Sequence, residues 1–288
     1  MKSVAIIGPN GQLGTDLIKS FNNAGWNVHP VTHEEIQIEN IDSVRKSLKR
    51  YSLDWIINTA AFHKVDECEK DTERAWQINA YGAANVSRIA NELGAKSVFI
   101  SSDYVFSGTK KIGDSYSESD RVSPVNAYGH SKAGGETSTL SANPNNLVVR
   151  ISSVFGAAGS SGKGGNFVET ILSKARIGSP LKIVNDVSMS PTYTVDASNL
   201  ILCAMLSNQS GILHASNSGS TTWFDFGKAI LELSGIETDI IATETNFEIS
   251  PKRPKNSTLN TCAALKLLPA HPDWGSGLER YLKEKGHI

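Results

Sequence analysis

The chain has 288 residues and a mass of 31.0 kDa, with 39% hydrophobic and 20% charged residues. This length and composition indicate a globular protein with one large domain, or with one domain and a smaller companion. The formal net charge of −1 argues against general binding to nucleic acid or to an anionic membrane surface. No apolar run reaches the roughly 20 residues that span a bilayer, so we expect no membrane partner.

The cysteines are Cys68, Cys203 and Cys262, which are far apart and form no CxxC pair. Their number and spacing favour neither a zinc site nor a disulfide framework. We therefore predict reduced thiols in a cytoplasmic protein and no metal site.

Short apolar segments alternate with helical patterns through the first half of the chain. The predicted buried strands are SVAII (3–7), NVHPV (27–31), WIIN (55–58), SVFIS (97–101) and LVVRIS (147–152). The predicted helices between them are GQLGTDLIKSFNNAG (11–25), IDSVRKSLKRY (41–51), TERAWQINAYGAANVSRIANELG (72–94) and NAYGHSKAGGETSTLSA (126–142). This alternation predicts an α/β fold of the Rossmann type, a doubly wound parallel sheet with helices on both faces. Ligands of such sheets bind beyond the carboxyl ends of the strands.

The pattern loosens after about residue 153. A segment rich in Gly and Ser, FGAAGSSGKGGNF (155–167), is either a mobile binding loop or a flexible connector. Later patterns predict a strand near 211–214 and helices near 167–176, 195–206, 223–234 and 276–285. We expect residues 1–152 to form a dinucleotide-binding domain. Residues 153–288 should form mainly a smaller substrate-binding lobe, interleaved with the last strands of the sheet.

A glycine-rich turn follows the first predicted strand and opens the first helix. Its candidate cofactor-binding residues are Gly8, Asn10, Gly11, Gln12, Leu13 and Gly14. The spacing is GxxGxxG, which differs from the GxGxxG of the common dinucleotide fingerprint, so a purely structural turn is the alternative. Glycines let the backbone approach a ligand closely, and a helix N-terminus offers unpaired N–H groups to a pyrophosphate. The strand–turn–helix context favours the cofactor.

The end of the second predicted strand bears on the choice of nicotinamide cofactor. An acidic side chain there would hold a free ribose 2′-hydroxyl, whereas a basic one would accommodate a 2′-phosphate. This chain has Thr32 and His33, followed by Glu34 and Glu35. Thr32 could hydrogen-bond either ribose. The strand terminus itself carries no acid, which favours NADPH, and the two glutamates keep NADH open.

Tyr128 and Lys132 lie four positions apart, so they share a face of a predicted helix. Many pairs with this spacing are only solvated surface. Ser102 and Asp103, however, end the fourth predicted strand, at the same edge of the sheet. Each of these polar residues has a structural alternative, such as a strand-end cap.

Small and polar residues follow the third predicted strand. Ala60 and Ala61 are small enough to let a cofactor lie against the backbone, and Asn79 lies on the next helix. A tight turn and a helix-bending polar residue are the structural alternatives. Together with the reactive residues, they place several candidate groups beyond consecutive strand ends of one sheet.

These residues together resemble the extended short-chain dehydrogenase/reductase superfamily, and within it the dTDP-4-dehydrorhamnose reductase family. The resemblance covers nearly the whole chain and rests on GPNGQLG (8–14), SSDYVFSG (101–108), YGHSK (128–132), GNF (165–167), ND…SPT (185–192), TTWFDF (221–226) and RPKNSTLNT (253–261). It implies reduction, by NADPH or NADH, of the C4 ketone of a nucleotide-activated deoxysugar. The favoured substrate is dTDP-4-dehydro-L-rhamnose, and a homodimer is left open.

The resemblance implies a catalytic set. Tyr128 would protonate the developing alkoxide, and Ser102 would donate a hydrogen bond to the same oxygen. Lys132 would lower the pKa of the Tyr128 phenol from its usual value near 10 and would also hold the nicotinamide ribose. Asn79 would support a water relay to Lys132, and Asp103, at the same strand end as Ser102, is counted among the catalytic residues.

The resemblance also implies binding residues. The adenine would lie near Gln37 and Ile38, although Gln37 replaces an Asp that is frequent in the family. The substrate would contact Ser102, Asp103, Tyr104, Ser153, Asn166, Phe167, Trp223 and Arg253. Alternatives are core packing for Trp223 and an ordinary surface position for Arg253. Many family members have a Trp where this chain has Ser153, which leaves the exact deoxysugar open.

Two other functions compete. A related epimerase or dehydratase would keep its NAD bound and return the hydride, but dehydratases generally have an Asp-Glu pair after the strand-four hydroxyl. Here the order is Ser102-Asp103-Tyr104, which disfavours dehydration. A non-enzymatic, cofactor-binding regulatory subunit is the other alternative. The intact set of Ser102, Tyr128 and Lys132 argues against it.

Overall fold

The computed structural model describes residues 1–159, 165–246 and 251–288. The strands are β1 (Ser3–Ile7), β2 (Asn27–Val31), β3 (Trp55–Asn58), β4 (Lys96–Ser102), β5 (Leu147–Ile151), β6 (Val154–Phe155), β7 (Leu181–Val184), β8 (Ser188–Met189), β9 (Thr192–Tyr193), β10 (Gly211–His214), β11 (Thr221–Thr222) and β12 (Ile240–Thr243). The α-helices are α1 (Gln12–Asn23), α2 (Ile41–Leu48), α3 (Val65–Lys70), α4 (Thr72–Trp76), α5 (Gly82–Glu92), α6 (Ala127–Ala142), α7 (Phe167–Arg176), α8 (Thr194–Leu206), α9 (Trp223–Leu233), α10 (Cys262–Leu267) and α11 (Trp274–Glu284).

Six parallel strands form the central sheet, in the order β10-β5-β4-β3-β1-β2. The chain passes from β1 outward to β2 and then returns to β3 on the other side of β1. The strand order therefore reverses between β1 and β3, and a crevice opens beyond their carboxyl ends. Doubly wound sheets bind their ligands at such a point. The predicted fold class is confirmed.

Both faces of the sheet are covered because side chains alternate along each strand. Val4 and Ile6 of β1 pack into one cluster with α1 and α8, whereas Ala5 and Ile7 pack into another with α2 and α5. Fully buried strands with apolar residues on both faces are what a parallel sheet requires. The core thus holds the strand ends rigidly where the crevice forms.

Two predictions for the first half need correction. The segment Asn27–Val31 forms a strand, but only its last residue is buried, because β2 lies at the edge of the sheet. The predicted helix over 72–94 is divided into α4, a π-helical turn at Gln77–Tyr81, and α5. Single π-helical turns are frequent at functional sites, and this one contains Asn79.

A third apolar cluster lies within the C-terminal half. It is formed mainly by residues of α7, α9 and α11, with Phe155 and Tyr193 from two short strands. Beyond residue 152, β10 joins the central sheet and α8 packs on it. The domain division at residue 152 stays a prediction. Residues 160–164, within the predicted Gly- and Ser-rich segment, lie outside the described residues.

Across the three described ranges, none of the helices combines the length and the apolarity that a membrane crossing requires.

Candidate active site

A cavity of about 1070 Å³ lies beyond the carboxyl ends of the central strands. Small-molecule sites span roughly 300–1,000 Å³, so this cavity has room for two sizeable ligands side by side. A second cavity of about 210 Å³ adjoins it. Gly8, His33, Ala60 and Ala61 line both, so the two form one continuous cleft.

The glycine turn forms one wall of the large cavity, which all six of its predicted binding residues line. Gly8 has φ +81°, and a Cβ there would lie 2.5 Å from the Thr59 hydroxyl oxygen. At Gly14 a Cβ would lie 2.2 Å from the carbonyl oxygen of Gly8. Gly11 caps α1 without a side-chain hydrogen bond, which leaves first-turn N–H groups of that helix for a ligand. The turn therefore fits an anionic pyrophosphate.

The glycine turn predicts an asymmetry between two alanine substitutions. Gly14→Ala should lower the free energy of unfolding by about 1–3 kcal/mol, as overpacking of a tight site does. Gly11→Ala should change it far less, because the nearest atom to a Cβ there lies 3.6 Å away. Chemical denaturation of both variants measures the difference. Equal stability of the two variants would contradict this geometry.

Tyr128 and Lys132 both line the large cavity, one turn apart on α6. Asn126 fixes the start of this helix, since its Oδ1 accepts a hydrogen bond from Gly129 N at 2.8 Å. Tyr128 therefore lies in the first turn, next to the carboxyl end of β4. There its hydroxyl lies close enough to Ser102 for that side chain to lower the pKa of the phenol. The two hydroxyls meet across the junction of α6 and the sheet.

Asp103 orients the Ser102 hydroxyl. Ser102 Oγ donates to Asp103 Oδ1 at 3.0 Å and accepts from Tyr104 N at 3.2 Å. The other carboxylate oxygen accepts from Ser152 Oγ at 2.8 Å. Asp103 is only 3% exposed, and burial raises its pKa even though these hydroxyls donate to it. Both carboxylate oxygens of Asp103 thus accept hydrogen bonds from serine hydroxyls in this arrangement.

Lys132 is 1% exposed, and its ammonium lies in a nearly dry environment. Nζ donates to Ile100 O at 2.5 Å and lies 4.1 Å from the centroid of the Phe99 ring. Burial lowers the pKa of Lys132 to about 7, against the opposing effect of Glu136, one turn further along α6. Glu136 is itself held by Arg150 through contacts of 2.8 and 2.7 Å.

The structure reverses one expectation about Tyr128. Burial raises the pKa of its phenol, the nearby Ser102 side chain lowers it, and the Asp103 charge raises it again. The prediction that Lys132 brings this pKa below its usual value is therefore wrong for the structure described. The physical reason is desolvation of the phenol, which disfavours the tyrosinate, while Lys132 is not among the main groups that act on this pKa.

Comparison with known proteins places the chain among sugar-nucleotide enzymes. The model of a family described as "RmlD substrate binding domain" matches residues 1–286. The chain is 37% identical to the spore coat polysaccharide biosynthesis protein SpsK of Bacillus subtilis, over 99% of this chain and 98% of that protein. It is 31% identical to the dTDP-4-dehydrorhamnose reductase of Salmonella typhimurium, over 98% of this chain and 97% of that one. The chain belongs to the dTDP-4-dehydrorhamnose reductase family.

A solved structure agrees with this membership. The dTDP-4-dehydrorhamnose reductase of Bacillus anthracis, crystallised in complex with NADP, superimposes with a TM-score of 0.91 at 34% identity. The match covers 99% of this chain and 100% of that one. The resemblance drawn from the sequence motifs is confirmed at the level of the family.

Within this reductase-family chain, the predicted substrate residues Tyr104, Ser153, Asn166, Phe167 and Trp223 line the large cavity together with Ser102 and Asp103. The Tyr104 ring meets the Tyr128 ring edge-on at 5.8 Å, and Phe167 packs against Trp223 at 4.6 Å. Trp223 therefore packs against the third apolar cluster and also lines the large cavity. Ser153 has φ +45°, which turns the chain sharply after β5.

Asn166 has several structural partners. Its Oδ1 accepts from Glu169 N at 3.1 Å and so caps α7, while Nδ2 donates to Tyr281 Oη at 3.0 Å. Nδ2 also lies 3.3 Å from Gln12 Oε1, which in turn accepts from Gly156 N at 2.9 Å. Gln12 and Asn166 thus tie the glycine turn to the start of α7.

Asn79 is fully buried and does not line the cleft. Its Oδ1 accepts from Phe62 N and its Nδ2 donates to Phe62 O, both at 2.9 Å. Nδ2 also donates to Ser131 Oγ at 3.0 Å. These contacts make Asn79 a positioning residue that joins the loop after β3 to α6. Its predicted part in a water relay to Lys132 stays a prediction.

Three of the predicted binding residues lie outside the two cavity walls, namely Thr32, Gln37 and Arg253. Thr32 N donates to Glu35 Oε2 at 2.9 Å, and Gln37 Nε2 donates to His33 O at 2.6 Å. Local hydrogen bonds thus hold both of these residues in the loop that follows β2. Ile38, in contrast, lines the smaller cavity as expected.

Arg253 pairs with Asp66 of α3, with 3.3 Å between Nη2 and Oδ2. Both side chains are substantially exposed, and Arg253 acts electrostatically on Tyr104, whose pKa it lowers against the larger effect of burial. It therefore lies close to the cavity, yet a carboxylate already neutralises it. Its role toward a phosphate stays a prediction.

Sequence reasoning missed several residues of the cleft. His33 lines both cavities, and Glu39 and Arg74 line the smaller one as an ion pair at 3.1 Å. Glu136 was also missed, although an acid four residues after Lys132 is a recognisable helical spacing. Among the residues that the structure describes, no three His, Cys, Asp or Glu side chains gather closely enough to hold a metal ion.

Proposed function

We propose that this chain reduces the C4 ketone of a dTDP-activated 6-deoxysugar with NADPH as the preferred cofactor. The observation that carries the proposal is that Ser102, Tyr128 and Lys132 line one cavity together with the glycine turn. Membership of the dTDP-4-dehydrorhamnose reductase family supports the substrate class. The favoured substrate is dTDP-4-dehydro-L-rhamnose.

The cofactor-binding residues fit a dinucleotide. The glycine turn and the N-terminus of α1 would hold the pyrophosphate, and Ala60 and Ala61 would let the adenosine half reach the smaller cavity. Reduced nicotinamide, when bound, supplies the hydride. NADP in the Bacillus anthracis relative supports NADPH over NADH, as does the exposed His33 beside the cleft, which suits a 2′-phosphate better than a carboxylate would.

The chain's own residues handle the proton. The raised pKa of Tyr128 keeps its phenol protonated at neutral pH, which is the form that a reduction needs. An alkoxide is a stronger base than a phenolate, so the proton passes from Tyr128 to the substrate oxygen as the alkoxide develops. A serine hydroxyl has one proton, so Ser102 turns from Asp103 to the same oxygen when it donates there.

Lys132 lies one helical turn from Tyr128, which becomes a tyrosinate when it gives up its proton. Its ammonium stabilises the tyrosinate after proton transfer and donates to the ribose of the nicotinamide. Burial lowers the pKa of Lys132 to about 7, which makes its charge sensitive to the charges around it. The negative charge that develops on Tyr128 favours the protonated form of Lys132. Charge thus appears on both side chains together, in an environment that penalises either charge alone.

The aromatic wall of Phe167 and Trp223 would receive the nucleotide or sugar rings of the substrate. Arg253 would leave its ion pair with Asp66 and bind the diphosphate of the substrate, since its guanidinium matches phosphate oxygens. The three cysteines, none of which forms a disulfide, suit a cytoplasmic enzyme. A homodimer stays a prediction.

The identity of the deoxysugar is a more specific proposal than the ketone reduction itself. The relative SpsK is named for spore coat polysaccharide biosynthesis, and a reductase of another deoxysugar would have the same reactive set. The order Ser102-Asp103-Tyr104 lacks the Asp-Glu pair of dehydratases, which favours a reductase over that alternative.

A cofactor-oxidation assay tests the function. The protein is incubated with NADPH or NADH and either dTDP-4-dehydro-L-rhamnose or its unepimerised precursor sugar, and the product is identified by NMR. We expect NADPH oxidation with dTDP-4-dehydro-L-rhamnose, and dTDP-L-rhamnose as the product. Tight cofactor binding without oxidation by any ketosugar would favour the regulatory alternative instead.

A further inference from the structure

The smaller cavity has a largely apolar wall. Its lining includes Ile7, Ile36, Ile38 and Ile78, with Ala60, Ala61 and Phe62 on the side toward the glycine turn. It adjoins the large cavity beyond the pyrophosphate-binding turn. A flat heterocycle of the cofactor would be covered there by apolar side chains.

Three polar side chains, those of His33, Glu39 and Arg74, interrupt this apolar wall. Glu39 Oε1 pairs with Arg74 Nη1 at 3.1 Å, while Glu39 Oε2 is buried and has no hydrogen-bond partner within the described structure. Buried polar atoms are nearly always hydrogen-bonded, because leaving one unpaired is costly. Because Glu39 lines the cavity, a small rotation of its carboxylate would offer this unpaired acceptor to a ligand that brings a donor.

We propose that Glu39 Oε2 accepts a hydrogen bond from the exocyclic amino group of the cofactor's adenine. The inference rests on the proposed dinucleotide cofactor. Of the groups that a nicotinamide dinucleotide could bring past the glycine turn, the adenine carries an N–H donor on a flat apolar ring. Arg74 positions the carboxylate, since it holds one oxygen and leaves the other for the base.

Gln37 is the position at which the family resemblance leads one to expect this contact. Its amide nitrogen, however, donates to His33 O at 2.6 Å, and its backbone N donates to Ser43 Oγ at 3.0 Å. Gln37 does not line either cavity. Glu39, two residues further on, supplies the carboxylate that Gln37 lacks. The adenine acceptor has thus moved along the loop in this chain.

Isothermal titration calorimetry with two nucleotides tests the proposal without any turnover. NADPH is compared with its hypoxanthine analogue, in which a carbonyl replaces the amino group. A hydrogen bond to a charged acceptor is worth about tenfold to a hundredfold in affinity, so the unchanged protein should prefer NADPH by about tenfold or more. Glu39→Gln should reduce this preference to about threefold or less, because an amide can also donate to the carbonyl.

Asp42→Asn is the matched control, because it removes one carboxylate charge from a side chain that is 88% exposed and lies outside the cavity walls. It should keep the full preference for NADPH. A full preference retained in Glu39→Gln would overturn the proposal and leave the cofactor assignment intact. If the unchanged protein bound neither nucleotide, the cofactor assignment and this proposal would both fall.

Discussion

Replacing Tyr128 with phenylalanine is expected to lower kcat by about 10²- to 10⁴-fold, the usual contribution of a positioned general acid. The substitution removes only the hydroxyl that meets Ser102, while the ring keeps its edge-on contact with Tyr104. Affinity for NADPH should therefore change by less than about threefold. Steady-state kinetics and calorimetric titration of the same preparation measure the two quantities.

Tyr81→Phe is the control for this substitution, because Tyr81 is 61% exposed and lies outside the cavity walls. Its kcat should match that of the unchanged protein. A Tyr128→Phe variant with undiminished kcat would remove the phenol from the mechanism. A variant that lost NADPH affinity to the same extent as kcat would instead assign Tyr128 to binding.

Replacing Lys132 with methionine is expected to abolish measurable turnover and to stabilise the protein. Methionine fills a similar apolar volume beside Phe99 without a charge that needs solvent. Glu136 remains paired with Arg150, so the change leaves that carboxylate with a partner. Replacing buried charges by apolar groups is often neutral or stabilising by about 1–4 kcal/mol. Chemical denaturation and the NADPH-oxidation assay measure the two effects.

The stability difference should depend on pH in a defined direction. Folding lowers the pKa of Lys132 from 10.5 to about 7. Between these values the unfolded chain binds more protons than the folded one, so the contribution of Lys132 to stability rises with pH. Below pH 7 both states are protonated and the full penalty of burial applies. The gain in free energy of unfolding from Lys132→Met should therefore be largest at pH 6 and should shrink toward pH 10.

Lys228→Met provides the comparison, because Lys228 lies on α9 with a side chain that is 59% exposed. It should affect neither turnover nor the slope of stability against pH. A Lys132→Met variant that is less stable than the unchanged protein at pH 6 would contradict the penalty of burial. Unchanged NADPH affinity in that variant would count against the proposed ribose contact.

The sequence was sufficient for the elements that position the site. The strands Ser3–Ile7, Asn27–Val31 and Trp55–Asn58 have the predicted bounds, because apolar runs between glycines and polar turns limit a strand from both ends. Gly8 and Gly14 were recognisable for a similar reason, since only glycine tolerates such close backbone contacts. The i to i+4 spacing of Tyr128 and Lys132 likewise brought both side chains to one cavity.

Features that depend on tertiary contacts could not be predicted in this way. The pKa of Tyr128 depends on how much solvent the assembled cleft excludes, and no local pattern reports that. Arg253 pairs with Asp66, which is 187 positions away along the chain. The π-helical turn around Asn79 is stabilised by contacts with Phe62 and α6. Each of these features arises between segments that are distant in sequence.

The most direct measurement follows the hydride itself. The protein is mixed with dTDP-4-dehydro-L-rhamnose and NADPH that carries deuterium at the transferable C4 position of the nicotinamide, and the product is examined by NMR and mass spectrometry. Direct transfer predicts one deuterium on C4 of the deoxysugar, with the C4 oxygen now a hydroxyl. Recovery of unreduced ketosugar with the label still on the cofactor, or a label on any other sugar carbon, would contradict a C4 ketoreductase.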